Sequence, residues 1–318
     1  MKYKGDFYMK IVFLDAKSVG DDIDFSRYHE LGEFITYPFT SFEEIPGRVS
    51  DADVIITNKC LINEQSVGSA HNLKLVCVTA TGTNNLDKDY LDSRNIAWRN
   101  VAGYSTESVA QHTFAMLFYL LEKLNYYDSY VKEGRYANDT LFTHFGEQFR
   151  QINGMTWGII GLGAIGRRVA DIAKIFGANV IYYSTSGNNN QSDYSRVDFD
   201  TLLATSDIIS VHAPLNENTE NLMNLDAFKK MKPSAIFLNL GRGAIVNEQD
   251  LADALNQNVI AAAGLDVLCE EPMNPDCPLL PIQDSKRLLI TPHIAWASIE
   301  ARTKLMELVR KNIVDFYA

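Results

Sequence analysis

The segment MTWGIIGLGAIGRRVADIAKIFG (155–177) leaves this chain few choices of fold. MTWGIIG (155–161) is a continuous apolar run, the pattern of a strand buried on both faces. GRRVADIAKIFG (166–177) has the spacing of a helix with one apolar face. GLGAIG joins them. Gly161 permits a tight turn, Gly163 lets a ligand approach the backbone, and Gly166 lets helix and strand pack closely. The first helical N–H groups, at Ala164 and Ile165, then point at an anion together with the positive end of the helix dipole. Strand, glycine turn and helix in this order predict a dinucleotide-binding α/β unit.

The rest of the chain repeats the alternation. Candidate strands in the first third are KIVFLDA (10–16), GEFITYP (32–38), ADVIITN (52–58), LKLVCVT (73–79) and IAWRNV (96–101). After residue 150 they are MTWGIIG, NVIYYS (179–184), DIISVHA (207–213), AIFLNLG (235–241), IAAAGLDV (260–267) and RLLITPH (287–293). Helical patterns between them predict two doubly wound parallel-sheet α/β domains, the second a Rossmann domain. TESVAQHTFAMLFYLLEKLN (106–125) is apolar nearly all round and reads as one buried helix. An aromatic, polar stretch follows, from Tyr126 to Arg150. SGNNNQSD (186–193) reads as a loop, and SIEARTKLMELVRKNIVDFYA (298–318) as a terminal amphipathic helix that returns to the first unit.

Composition removes several classes of function. A net charge of −11 opposes nucleic-acid binding, which needs clustered Lys and Arg to neutralise phosphates. Cys60, Cys77, Cys269 and Cys277 form no CxxC and no zinc spacing, so isolated thiols and no metal are expected. The N-terminus lacks a long apolar segment, and no run of 18 apolar residues exists, so neither secretion nor a membrane span is expected. The expected setting is the reducing cytoplasm. Met9 is a second candidate start, with residues 1–8 as an extension.

Three polar residues stand just beyond predicted strands: Arg242 in LGRGAIV, Glu271 in DVLCEEP and His293 in TPHIAW. Reducing a 2-keto acid requires a hydride on C2 and a proton on the carbonyl oxygen. Protonated His293 supplies such a proton near neutral pH. A carboxylate on its other ring nitrogen, from Glu271, would stabilise the imidazolium. Arg242 matches a substrate carboxylate with a planar fork that Lys does not reproduce.

GLGAIG, VHAPL (211–215), LNLGRGAIVNEQDL (238–251), AGLDVLCEEP (263–272) and TPHIAW (291–296) together resemble the D-isomer-specific 2-hydroxyacid dehydrogenase family. TNK (57–59), VTATGTNNLD (78–87) and NVAGYSTESVAQH (100–112) resemble its glycerate dehydrogenase (hydroxypyruvate reductase) branch. The resemblance implies a flavodoxin-like substrate domain of residues 1–101 plus 293–318, an NAD(P)-binding domain of residues 102–292, and catalysis in the cleft between them. It implies a homodimer built on the 106–125 helix and the arm after it. Arg242, Glu271 and His293 become the catalytic set; Glu271 is chosen over Glu270 because the family's acid directly precedes the proline. Lys59, Thr81 and Gly82 join Arg242 and His293 around the substrate. Thr106, His212, Ala213, Pro214, Thr219, Leu240, Gly241 and Asp266 join the glycine loop around the cofactor, with Asp266 bonding the nicotinamide carboxamide. Ser184 occupies the position where an NAD site usually carries Asp or Glu. A serine does not repel a 2′-phosphate, and no Arg adjoins it in sequence, so both NAD and NADP stay open. Hydroxypyruvate or glyoxylate is the expected keto acid. D-lactate, phosphoglycerate and a dinucleotide-sensing scaffold of the co-repressor type are the alternatives.

Overall fold

The computed structural model describes residues 9–189 and 193–318. The choice between Met1 and Met9 as start therefore falls outside the described residues, as does part of the 186–193 loop. The chain divides into two compact units, one running to Ser105 and resuming at Ala297–Ala318, the other spanning Thr106–Trp296.

Unit 1 contains β1 (Met9–Phe13), β2 (Gly32–Thr36), α1 (Ile45–Val49), β3 (Val54–Thr57), α2 (Glu64–Val67), β4 (Leu75–Val78), α3 (Lys88–Ser93) and β5 (Ala97–Arg99). Among the described residues these strands form a parallel five-stranded sheet in the order β2-β1-β3-β4-β5. β3 and β4 are fully buried, which explains their unbroken apolar runs.

Unit 2 opens with α4 (Thr106–Leu121) and α5 (Leu124–Lys132). The sequence predicts one helix to residue 125; the structure breaks it at Lys123, whose φ of 55° is left-handed, a common way for a helix to stop. Then follow β6 (Thr156–Ile160), α6 (Ala164–Ile175), β7 (Asn179–Tyr183), β8 (Ser195–Arg196), α7 (Phe199–Thr205), β9 (Ile208–Val211), α8 (Leu225–Lys230), β10 (Ile236–Asn239), α9 (Glu248–Asn256), β11 (Ala262–Leu265) and β12 (Leu288–Ile290). Among the described residues they form a parallel seven-stranded sheet in the order β12-β11-β10-β9-β6-β7-β8. Its two faces carry separate cores. Ile160, Ile209, Val211, Phe237 and Leu265 join one cluster; Trp157, Ile159, Ile208, Ile236 and Leu238 join the other. Alternate residues thus face opposite cores, so a central strand reads as a nearly continuous apolar run. Burying a side chain such as Phe237 contributes about 1.5–3 kcal/mol. Trp157 keeps its polar end satisfied by donating from Nε1 to Ser210 Oγ at 2.9 Å.

The last helix, α10 (Ile299–Tyr317), packs in unit 1. Tyr28 donates to the Met306 carbonyl at 2.6 Å, and Arg302 pairs with Asp22. Among the described residues no helix is long and apolar enough to cross a membrane.

Candidate active site

All seven strands of unit 2 are parallel, so the residues that follow them collect on one edge. Across the sheet these are His293 after β12, Asp266 and Glu271 after β11, Leu240 to Arg242 after β10, His212 to Pro214 after β9, the glycine loop after β6, Ser184 after β7 and Arg196 ending β8. The chain winds outward in opposite directions from β6 and β9. The crevice between them is the switch point where such sheets accept ligands.

The glycine loop has the backbone its composition demands. Gly161 has φ +92°, and a Cβ there would lie 2.9 Å from the Ala213 Cα and N, so only glycine lets the loops after β6 and β9 meet. A Cβ on Gly166 would lie 2.2 Å from the Gly161 carbonyl oxygen. At Gly163 it would meet nothing within 4 Å, so the loop faces open space. Gly163 caps α6 without a side-chain hydrogen bond, leaving the first-turn N–H groups at Ala164 and Ile165 for a ligand. This cradle fits a dinucleotide pyrophosphate. Thr106 opens α4 and adds a second helix start.

The loop after β9 is braced from within. Thr219 is fully buried; its hydroxyl donates to the Pro214 carbonyl at 2.8 Å and accepts from Asn216 N at 2.8 Å. Its side chain therefore shapes the loop. His212 Nε2 lies 3.1 Å from Ser210 Oγ, and its Nδ1 is buried with no partner. Burial pushes the His212 ring down to about 3, so it is neutral at working pH. Ser210 already accepts from Trp157, so its own proton goes to His212 Nε2. That arrangement leaves Nδ1–H as a neutral donor.

On the other side of the switch point, three neighbouring strands present the polar residues. Arg242 is half-buried, and its Nη1 donates to the Gly241 carbonyl at 2.7 Å. The turn is shaped by buried Asn239, which accepts from Gly241 N at 3.0 Å and donates to the Arg242 carbonyl at 2.9 Å. Sequence reasoning missed Asn239; its only signal is an amide at the end of an otherwise apolar strand. His293 Nδ1–H donates to Glu271 Oε2 at 2.7 Å, while Glu271 Oε1 accepts from Leu268 N at 3.0 Å. Glu270 instead accepts from Asn274 at 2.9 Å. With Nδ1 committed, Nε2 is the nitrogen left for proton exchange.

His293 has φ +54°, a conformation that costs a non-glycine residue about 1–2 kcal/mol. Asp266 holds it there. The Asp266 carboxylate accepts from Thr291 Oγ1 at 2.6 Å, Ile294 N at 2.9 Å and Ala295 N at 2.9 Å, and its carbonyl accepts from His293 N at 2.8 Å. His112 Nε2 sits 3.0 Å from the same Thr291 hydroxyl. His293, expected at the start of the returning segment, is held inside unit 2 by these bonds. Asp266→Ala removes the acceptor from three donors, each costing roughly 1–3 kcal/mol when buried and unpaired. We expect lower stability and faster amide exchange across 291–296, measured by hydrogen–deuterium exchange; unchanged exchange there would refute the anchoring role.

The residues predicted on unit 1 also follow parallel strands. Lys59 lies after β3 and is exposed; its N–H donates to buried Asp15 at 2.7 Å. Thr81 and Gly82 lie after β4, with Thr81 donating to the Val101 carbonyl at 3.0 Å. No Arg adjoins Ser184 along the chain, but β8 pairs Arg196 with Tyr182 in register and returns a guanidinium to the loop after β7.

A glycine cradle at a switch point, sharing its edge with a histidine–carboxylate pair and an arginine, is built for a nicotinamide-dependent oxidoreductase. Residues 114–295 match the family model for the D-isomer specific 2-hydroxyacid dehydrogenase NAD binding domain. The chain is 37% identical over 316 residues to a hydroxypyruvate reductase of Blautia hydrogenotrophica, covering 97% of each protein. It is 34% identical over 310 residues to a glycerate dehydrogenase of Methylorubrum extorquens, covering 97% of this chain and 96% of the relative. Among solved structures, an acyclic imino acid reductase in complex with NADPH and D-Arg superposes with a TM-score of 0.84 at 32% identity, covering 97% of both chains. The chain belongs to the D-isomer-specific 2-hydroxyacid dehydrogenase family, and it is an NAD(P)-dependent oxidoreductase.

Proposed function

We propose that this enzyme interconverts hydroxypyruvate and D-glycerate, with glyoxylate as a second keto acid. The observation that carries the reading is the 2.7 Å His293–Glu271 bond on a strand end beside the Arg242 turn. The names of the relatives supply the substrate. The nicotinamide cofactor, when bound, supplies the hydride that reaches C2. His293 Nε2 gives a proton to the carbonyl oxygen and takes it back in the reverse direction. Glu271 orients the ring and balances its positive charge. Arg242 pairs with the substrate carboxylate and polarises the carbonyl. The first-turn N–H groups of α6 hold the pyrophosphate, and neutral His212 offers Nδ1–H to the cofactor side. Asp266 positions the His293 segment. The substrate-binding roles of Lys59, Thr81 and Gly82, and the split into substrate and cofactor domains, belong to the same proposal.

The test is a panel of hydroxypyruvate, glyoxylate, pyruvate and phosphohydroxypyruvate with NADH and NADPH. Hydroxypyruvate should give the highest kcat/KM. Preference for pyruvate or the phosphorylated acid would move the enzyme to the D-lactate or phosphoglycerate reading. Turnover only when an amine accompanies the keto acid would favour imine reduction. No turnover with any would leave the scaffold reading.

We also propose a cytoplasmic homodimer. Phe142 and Phe145 are 90% and 85% exposed on the segment after α5, and Leu141, Phe149 and Val131 are exposed with them. A second copy of this chain is the occupant that such a concentration of aromatic surface suits. Light scattering should give twice the chain mass, and Phe142→Asp with Phe145→Asp should give monomers. A monomeric parent protein would refute the proposal.

A further inference from the structure

Glu271 keeps its place beside His293 through a segment that burial does little to hold. Residues 269–272 and 274–276 are exposed, between Val267 and Cys277, which are buried. With few apolar contacts, such a segment depends on its hydrogen bonds for order.

Those bonds lead to Glu248, the first residue of α9. Its Oε1 accepts from Cys269 N at 2.7 Å, and its Oε2 accepts from the Cys277 thiol at 3.5 Å. One carboxylate thus grips both ends of the segment 269–277. Burial first, and the Glu248 charge with it, push the Cys277 thiol up, so it stays an S–H donor. Glu271 is anchored next door, its Oε1 accepting from Leu268 N. Two successive N–H groups, of Leu268 and Cys269, therefore go to two carboxylates. Where Glu248 places the Cys269 N–H decides where the Leu268 N–H, and with it Glu271, can stand.

The base of Glu248 is itself fixed. Asn247 caps α9 by accepting from Asp250 N at 3.1 Å, and its own N–H donates to the Met223 carbonyl at 3.0 Å. The Cys269 thiol donates to the Val246 carbonyl at 3.6 Å, and Gly243 leaves no space for a Cβ against Leu268 and Cys269. The turn that carries Arg242 and the segment that carries Glu271 are joined along residues 243–248.

We propose that Glu248 is a positioning residue for the catalytic pair: it holds residues 268–271 so that Glu271 meets His293 Nδ1. The proposal rests on the proposed reaction for what the pair does, and not for the tie itself.

Reach, not charge, is the property at stake, and two variants separate them. Glu248→Gln keeps an oxygen for Cys269 N and turns its amide NH₂ toward the Cys277 sulfur. Glu248→Asp keeps the negative charge that suits a helix N-terminus but ends one carbon short. In the full-length protein, ring-nitrogen NMR shifts of His293 report its tautomer at alkaline pH, where an imidazole is neutral. Which nitrogen carries the proton is set by the bond the other side of the ring makes. The parent and Glu248→Gln should show the Nδ1–H form. Glu248→Asp and Glu248→Ala should move toward the Nε2–H form, as Glu271→Ala does. With hydroxypyruvate, kcat and kcat/KM should fall together in the Asp and Ala variants, by about 10–10²-fold, the scale of a misplaced catalytic group. NAD(P)H affinity should hold, and Glu248→Gln should recover most of the activity. In a Glu271→Ala background, Glu248→Ala should add no more than about twofold, because both act through one bond. A residue that only stabilised the fold would leave the tautomer alone and add its loss in both backgrounds; either result overturns the proposal. An active Glu248→Asp beside an inactive Glu248→Gln overturns it too. If the parent turns over no keto acid, the reductase reading fails and the ring shifts alone decide on Glu248.

Discussion

Replacing His293 by Ala lowers kcat/KM for the keto acid by roughly 10²–10⁴-fold, the usual contribution of a positioned acid, while NAD(P)H affinity stays close to that of the parent. The asymmetry of the imidazole is the reason. Nδ1 is spent on Glu271 at 2.7 Å, so the ring has a single nitrogen free for the carbonyl oxygen. An amide at 293 could not cycle a proton there. Glu271→Gln should cost less than His293→Ala, because Gln keeps an acceptor for Leu268 N while losing the charge that balances the imidazolium. Arg242→Ala should match the histidine variant in size, and Arg242→Lys should recover little, since a point charge replaces a planar fork. Steady-state kinetics of the four variants decide the matter. If both alanine variants lose less than about threefold, the assigned roles are wrong.

Gly243→Ala should be among the most damaging single changes in the protein, although Gly243 has no assigned role in the chemistry. An added Cβ would stand 1.9 Å from the Leu268 carbonyl carbon and oxygen and 2.4 Å from Cys269 N. These are backbone atoms, so no side-chain rotation relieves the overlap. The clash would push the Arg242 turn away from the segment that carries Glu271. A loss of at least about 3 kcal/mol is expected from overpacking of this severity, read from chemical unfolding, with activity falling alongside. Gly163→Ala is the contrasting case. Its Cβ meets nothing within 4 Å, so stability should change by less than about 0.5 kcal/mol while cofactor affinity drops. If Gly243→Ala folds as stably as the parent, the two loops are less tightly opposed than the structure describes.

The strands were legible because a doubly covered parallel sheet forces uninterrupted apolar runs, and the glycine loop because its backbone admits little else. The residues that complete the site were harder to read. Asn239 carries its function through a turn two residues long, which no periodicity reveals. Asp266 announces itself as an acid after a strand, but only coordinates show both its oxygens turned to the His293 segment. The break at Lys123 was hidden because apolar residues continue on both sides of it. Arg196 was invisible for a topological reason: β8 is two residues long, and its proximity to Ser184 exists only through pairing with β7.

The order of strands along the edge has a consequence for how such an enzyme can diversify. Under the proposed function, the residues after β10, β11 and β12 carry the chemistry and those after β7 and β8 face the ribose end of the cofactor, with β9 and β6 standing between them. Substitutions at the two ends share no hydrogen-bonding partner given above, so their effects should add. A descendant of this chain could exchange one dinucleotide for the other, or one keto acid for another, in independent mutational steps, each inherited without revising the other.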